Sequence, residues 1–317
     1  MHIVKAFDEP IDVKRTNGRY YTAVNPFNLK PFKIWAKQIG MNNHKILEPF
    51  AGANNVIKML KLENNIRFSS FDINPQDPNV RKRDTIKNFP KGYKTCITNP
   101  PWLASYSAKR KGLDYPDIQY DNIYKHCLEI ALTHCENVCF IIPATYLRTA
   151  LFKSRLHSVI FINNNLFMET ENPVCVALFT EKSKESKIYY DNDYVGTLEQ
   201  LQSFLPKPKK DLKIKFNSKK GNVGLICIDN NREPSIRFCN GNEISRDVKH
   251  SDRLITRIEF EVEDVDKTVK ILNKQLDKIR KNTHDVFLAP FKGLRKDGNY
   301  RRRIDYDLVR RMINAYC

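Results

Sequence analysis

Between residues 45 and 180 the chain alternates short apolar runs with amphipathic stretches, and this alternation constrains the fold more than any other feature. Such succession is the pattern of βαβ units, which set parallel strands side by side beneath covering helices. Lys45-Ile46-Leu47-Glu48 reads as a strand ending at a turn. Asn55 to Leu62 reads as a helix with Val56, Met59 and Leu60 on one face. Phe68-Ser69-Ser70-Phe71-Asp72 is a second strand, and Thr95-Cys96-Ile97-Thr98 is another, stopped by Asn99-Pro100-Pro101. Ile123 to Thr133 places Ile123, Cys127, Ile130 and Ala131 on a helical stripe. Val138 to Ile142 is almost wholly apolar, as a strand buried on both faces requires. Val159 to Ile162 and Val174 to Phe179 supply the last strands. The expected fold class is α/β, with helices on both faces of the sheet.

The character changes at the polar stretch 181–187, which reads as a linker. The sequence therefore divides into residues 1–182 and a smaller C-terminal mixed α/β domain, 183–317. In the latter, 223–228 and 254–262 look like strands, Val265 to Ile279 like a helix, and Asp305 to Ala315 like a basic helix.

Composition narrows the function classes. Lys and Arg number 54 against 36 Asp and Glu, a formal net charge of +18 that suits a polyanionic partner. Many basic chains bind nothing, so charge alone leaves nucleic acid as one reading. The N-terminus has no apolar core of a secretory signal and no run is long enough to span a membrane, so a cytoplasmic protein without a membrane partner is expected. The eight cysteines form no C-x-x-C pair and sit mostly in apolar runs, which favours buried thiols over disulfides or zinc. No metal site is expected.

Chemistry concentrates at Asn99-Pro100-Pro101-Trp102, directly after a short strand. Two prolines fix the backbone there and remove two N–H donors. The Asn99 side chain and the Pro100 carbonyl can then face one small site as acceptors, with Trp102 as a wall for a planar group. That combination suits an aromatic amine; the motif is also compatible with an ordinary edge turn. Upstream, Glu48-Pro49-Phe50-Ala51-Gly52-Ala53-Asn54 joins strand to helix, where such sheets bind cofactors. With one glycine and no Lys-Ser/Thr it is no phosphate cradle, and Glu48 favours a cationic amino-acid moiety. Asp72, followed by Ile73, ends the second strand, where a carboxylate can accept ribose hydroxyls. Asp84 and Thr85 are placed to meet the amine of a nucleoside.

With these motifs in this order, the chain resembles the Rossmann-like S-adenosylmethionine-dependent amino-methyltransferases, in particular adenine-specific (N6) DNA methyltransferases of the gamma type. Asn99-Pro100-Pro101-Trp102 matches their catalytic motif and Glu48 to Asn54 their cofactor loop, with Asn54 where a later glycine is usual. Thr16 to Thr22, including Tyr21 and Thr22, looks like their N-terminal cofactor motif. The resemblance covers roughly residues 14–182. It implies S-adenosylmethionine as cofactor, duplex DNA as substrate and a flipped-out adenine. It further implies attack of the amine on the sulfonium methyl, with Asn99 and Pro100 accepting the amine hydrogens. Trp102 would stack on the base, with Phe167 on its opposite face or as an ordinary core residue. Lys109, Arg110 and Lys111, in a loop after the motif, and Arg295, Lys296, Arg301, Arg302 and Arg303 near the end are the candidate DNA contacts. A monomer is expected, with a cognate restriction endonuclease as the implied partner. The rival substrates are adenine in RNA and, further off, a protein glutamine amide. A catalytically inactive nucleic-acid-binding module is the alternative from a different class.

Overall fold

A computed structural model of the chain describes residues 25–149, 151–163, 166, 172–244 and 252–317. Its strands are β1 (Lys45–Glu48), β2 (Arg67–Asp72), β3 (Val80–Lys82), β4 (Thr95–Thr98), β5 (Asn137–Pro143), β6 (Leu156–Phe161), β7 (Val174–Phe179), β8 (Lys187–Tyr190) and β9 (Asp193–Thr197). Among the described residues these form one sheet in the order β3-β2-β1-β4-β5-β7-β6-β8-β9. Strands β3, β2, β1, β4 and β5 run parallel, and β7 is inserted antiparallel between β5 and β6. This mostly parallel α/β sheet is of the Rossmann-like kind that the resemblance implies. Because β1 pairs with β2 on one side and β4 on the other, the connections leave in opposite directions at their carboxyl ends. That reversal opens a crevice, the place where open α/β sheets bind ligands.

Helices α1 (Lys30–Gln38), α2 (Asn55–Glu63), α3 (Ser105–Lys111) and α4 (Ile123–His134) belong to this part. On α2, Val56, Met59 and Leu60 are buried as their spacing requires. On α4 the buried face is Ile123, Tyr124, Cys127, Leu128 and Ala131, while Ile130 is only half-buried. In α1, Phe32 and Trp35 are buried, and the Trp35 indole donates to the Phe179 carbonyl of β7 at 3.3 Å. Burying each such aromatic contributes about 2–3 kcal/mol. Arg155 ties β6 to the end of α4: its guanidinium donates to the carbonyls of Leu132, Cys135, Glu136 and Thr180. A cation on those terminal carbonyls also complements the helix dipole.

The stretch 181–187 is a turn that leads into β8, so the sheet continues past it. The compact units are residues 1–197 and 198–317, where the sequence suggested a division at 182.

The second unit contains a three-stranded antiparallel sheet of β10 (Val223–Ile226), β11 (Arg237–Asn240) and β12 (Ile255–Ile258), with β10 central. A hairpin of β13 (Ala289–Leu294) and β14 (Tyr300–Arg303) accompanies it, with helices α5 (Leu198–Ser203), α6 (Val265–Thr283) and α7 (Tyr306–Tyr316). Leu225, Phe238, Leu272, Leu276, Val309 and Met312 are the centre of its core. Asp264 and Asp305 cap α6 and α7, accepting from Lys267 N and Leu308 N at 3.0 and 2.8 Å.

Candidate functional site

The loop from Pro49 to Asn54 crosses the carboxyl end of β1 and is held from several sides. Ala51 N donates to the Phe71 carbonyl at 2.9 Å, and Gly52 N to Asp72 Oδ2 at 2.8 Å. Gly52 has φ +48°, and Asn54 follows in the left-handed region with φ +62°. Asn54 thus adopts the conformation that a second glycine would supply, and Asn bears it better than most residues. Its buried side chain accepts the Ser70 hydroxyl at 2.8 Å, which fixes the turn into α2.

Asp72 lies across this loop. Besides Gly52 N, its carboxylate accepts Asn74 N at 2.8 Å, so its position is set by two backbone donors. Thr85 is buried and donates to the Pro49 carbonyl at 2.7 Å, which draws the 84–86 turn toward the same opening. From β4 the chain delivers Asn99-Pro100-Pro101. One cleft, with about 820 Å³ of empty space including its mouth, is lined by all three groups together. Phe50, Ala51, Gly52, Asp72, Ile73, Asp84, Thr85, Asn99, Pro100 and Pro101 face it, joined by Asn55, Val56, Asn74 and Ile86. Trp102 is next to the cleft in sequence but not among its lining residues, and it is buried.

The cleft lies at the β1/β4 reversal. Residues 13–170 match the model of the Eco57I restriction-modification methylase. Over those residues, just under half of the chain, it is similar to a methylase domain of that family. Among solved structures, a type I restriction-modification methyltransferase subunit from Streptococcus thermophilus is 15% identical, with TM-score 0.38, covering 54% of this chain and 47% of that one. The type IIG restriction endonuclease BpuSI is 17% identical, with TM-score 0.41, covering 56% of this chain and 28% of that one. The cytoplasmic dynein 2 heavy chain 1 of Caenorhabditis elegans is 26% identical over 129 residues, 40% of this chain, and the chain spans 3% of that curated relative.

The cofactor of such a methylase domain is S-adenosylmethionine, and the cleft residues fit it. Among the described residues two carboxylates line the cleft and no lysine or arginine does, which suits a cationic nucleoside derivative and not a phosphate. Apolar walls come from Phe50, Ile73 and Ile86, and Ile73 is 54% exposed. Asp72 and Asp84 offer acceptors beside them.

Glu48, at the end of β1, is fully buried. Its Oε1 accepts from Phe50 N at 3.0 Å and from the Thr98 hydroxyl, while its buried Oε2 has no hydrogen-bond partner among the described residues. Burial pushes its carboxyl up to about 8; the Thr98 and Phe50 bonds oppose that rise, and the charge of Asp72 adds to it. Glu48 is thus mostly protonated at neutral pH, and it links β1 to Thr98, the residue before Asn99.

Tyr21, Thr22 and Phe167 lie outside the described residues. Lys109, Arg110 and Lys111 form the exposed last turn of α3, where the sequence suggested a loop. In the second unit, the cations expected on DNA divide into two kinds. Arg295 is buried, pairing with Asp229 at 3.0 Å and Asp297 at 2.8 Å, and Arg302 is buried too. Lys296 is exposed, Arg301 and Arg303 half so. Asp229 itself is the missed residue here. Wholly buried, it receives Arg280 through two bonds of 2.8 and 2.9 Å, plus the backbone N–H groups of Ser235, Ile236 and Arg302. Burial raises its carboxyl, but the Arg280 bonds and charge outweigh that and hold it below its ordinary value. All eight cysteines are free, and seven are buried. No helix among the described residues is long and apolar enough to cross a membrane.

Proposed function

We propose that this chain is a site-specific DNA adenine-N6 methyltransferase of a restriction-modification system. The observation that carries the reading is the convergence of Gly52, Asp72, Asp84 and Asn99-Pro100-Pro101 on one cleft at the sheet's reversal point. S-adenosylmethionine supplies an electrophilic methyl group. Asp72 accepts its ribose hydroxyls, Asp84 its adenine amine, and the tight turn at Gly52 lets it approach the backbone.

Beside it, the Asn99 side-chain oxygen and the Pro100 carbonyl accept the two hydrogens of the target amine. Holding both aims the nitrogen lone pair and makes it more nucleophilic, so positioning and electrostatics lower the barrier. The adenine reaches this corner by leaving the duplex. No thiol is required; Cys96 and Cys139 are buried and pushed well above the usual thiol range, first by that burial. Lys109, Arg110, Lys111, Lys296, Arg301 and Arg303 are proposed to contact phosphates. Arg295 has its guanidinium committed to Asp229 and Asp297.

The test offers tritiated S-adenosylmethionine with duplex DNA, structured RNA and protein as competing acceptors. Label recovered as N6-methyladenine from DNA is the expected result. Label confined to RNA or to protein overturns the substrate assignment.

A further inference from the structure

Four residues beyond Trp102, helix α3 carries a surface that neither the cleft nor the core uses. Tyr106 is 73% exposed, a large ring turned to solvent. One helical turn later, Arg110 places its guanidinium carbon 5.8 Å from the Tyr106 ring centroid. Lys109 and Lys111 flank Arg110, and all three are exposed. The helix is not loosely placed. Ser105 N donates to the Asp121 carbonyl at 2.9 Å, Ile123 N to the Leu103 carbonyl at 3.0 Å, and Ala108 on the inner face is fully buried. Gly112, with φ +62°, then stops the helix. A pinned helix therefore presents one aromatic face, a cation lying on it, and further positive charge on both sides.

Resting on the DNA reading above, we infer that Tyr106 and Arg110 form a stacking platform for an unstacked nucleobase of the DNA strand, with Lys109 and Lys111 on its phosphates. The charge complementarity is contiguous: three cations in succession meet a polyanion. The aromatic ring adds what phosphates cannot use, a plane that fits any base. Extruding one nucleotide uncovers a face of its neighbour. The platform lies at most about 14 Å of extended chain from Trp102, within reach of such a neighbour. The interaction is independent of base identity, so it serves grip and positioning and not sequence choice.

The full chain is titrated with a labelled oligodeoxyadenylate strand and with an abasic deoxyribose-phosphate strand of equal length. Tyr106→Ala is expected to weaken binding of the base-bearing strand about tenfold and to leave the abasic strand unchanged. In Tyr106→Trp affinity persists, and the added indole emission is quenched by oligodeoxyadenylate and not by the abasic strand. Both variants keep wild-type affinity for S-adenosylmethionine, which reports an intact catalytic unit. Equal losses on both strands, or an unquenched indole in a bound complex, overturn the platform. A wild-type chain that binds neither strand and methylates only RNA or protein overturns the DNA reading itself, and that result is visible without any variant.

Discussion

Replacing Glu48 by Gln tests the electrostatics under the cleft. The carboxyl titrates near 4.5 in the unfolded chain and at about 8 in the folded one, chiefly because burial penalises its charge. Below pH 4.5 both states are protonated and nothing is lost. As pH rises above 4.5 the unfolded chain ionises while the folded one stays protonated, so folding stability falls until about pH 8 and then levels off. At about 1.4 kcal/mol per pH unit, the fall between pH 5.5 and pH 8.5 is roughly 3 kcal/mol. Glutamine keeps the shape and cannot ionise, so Glu48→Gln should lack this component. Urea denaturation of both proteins at the two pH values measures the difference. The wild type should lose about 3 kcal/mol relative to the variant on going to pH 8.5. Parallel stability profiles for the two proteins would refute the buried, protonated carboxyl. If Glu48 ionises against the ammonium group of S-adenosylmethionine, binding at pH 7 releases close to one proton, about the protonated fraction of the group. Calorimetry in buffers of different ionisation enthalpy detects that release, and Glu48→Gln abolishes it.

Asn99→Ala removes one acceptor for the target amine, and methyl transfer should fall at least about a hundredfold, the scale of losing one positioned polar group. Affinity for S-adenosylmethionine, read by calorimetry, should change little; near-normal turnover would refute the role. Asn54→Ala forces an alanine into φ +62° and removes the acceptor of Ser70, so unfolding should be easier by about 2 kcal/mol in urea titration. Asp229→Ala leaves buried arginine charge without its central partner and should cost about 3–5 kcal/mol, read the same way in the second unit.

Much of the first unit is legible in the sequence because its strands are buried on both faces. Val174–Phe179 is apolar throughout, Lys45–Glu48 and Thr95–Thr98 have apolar centres, and each forms a strand with those bounds. The stretch 181–187 misleads because a polar turn and a polar linker are composed alike; only pairing of Ser158 to Phe161 with Lys187 to Tyr190 tells them apart. The loop was legible for a different reason. Asn54 looks like a departure from the family's glycine, yet its left-handed backbone and the Ser70 bond meet the same geometric need. Trp102, which its place after the prolines marks as a wall for a planar group, is buried. The C-terminal cations are the least legible. Arg295 lies in a run that looks solvated, and its partner Asp229 is 66 residues away, a pairing no local pattern announces.

The most direct test is a crystal structure of the chain with a non-reactive analogue of S-adenosylmethionine. The analogue should lie in the cleft at the ends of β1, β2 and β4, its ribose on Asp72 and its sulfur-equivalent atom facing Asn99 and Pro100. An analogue bound elsewhere, or an Asn99-Pro100-Pro101 corner directed away from it, would contradict the account.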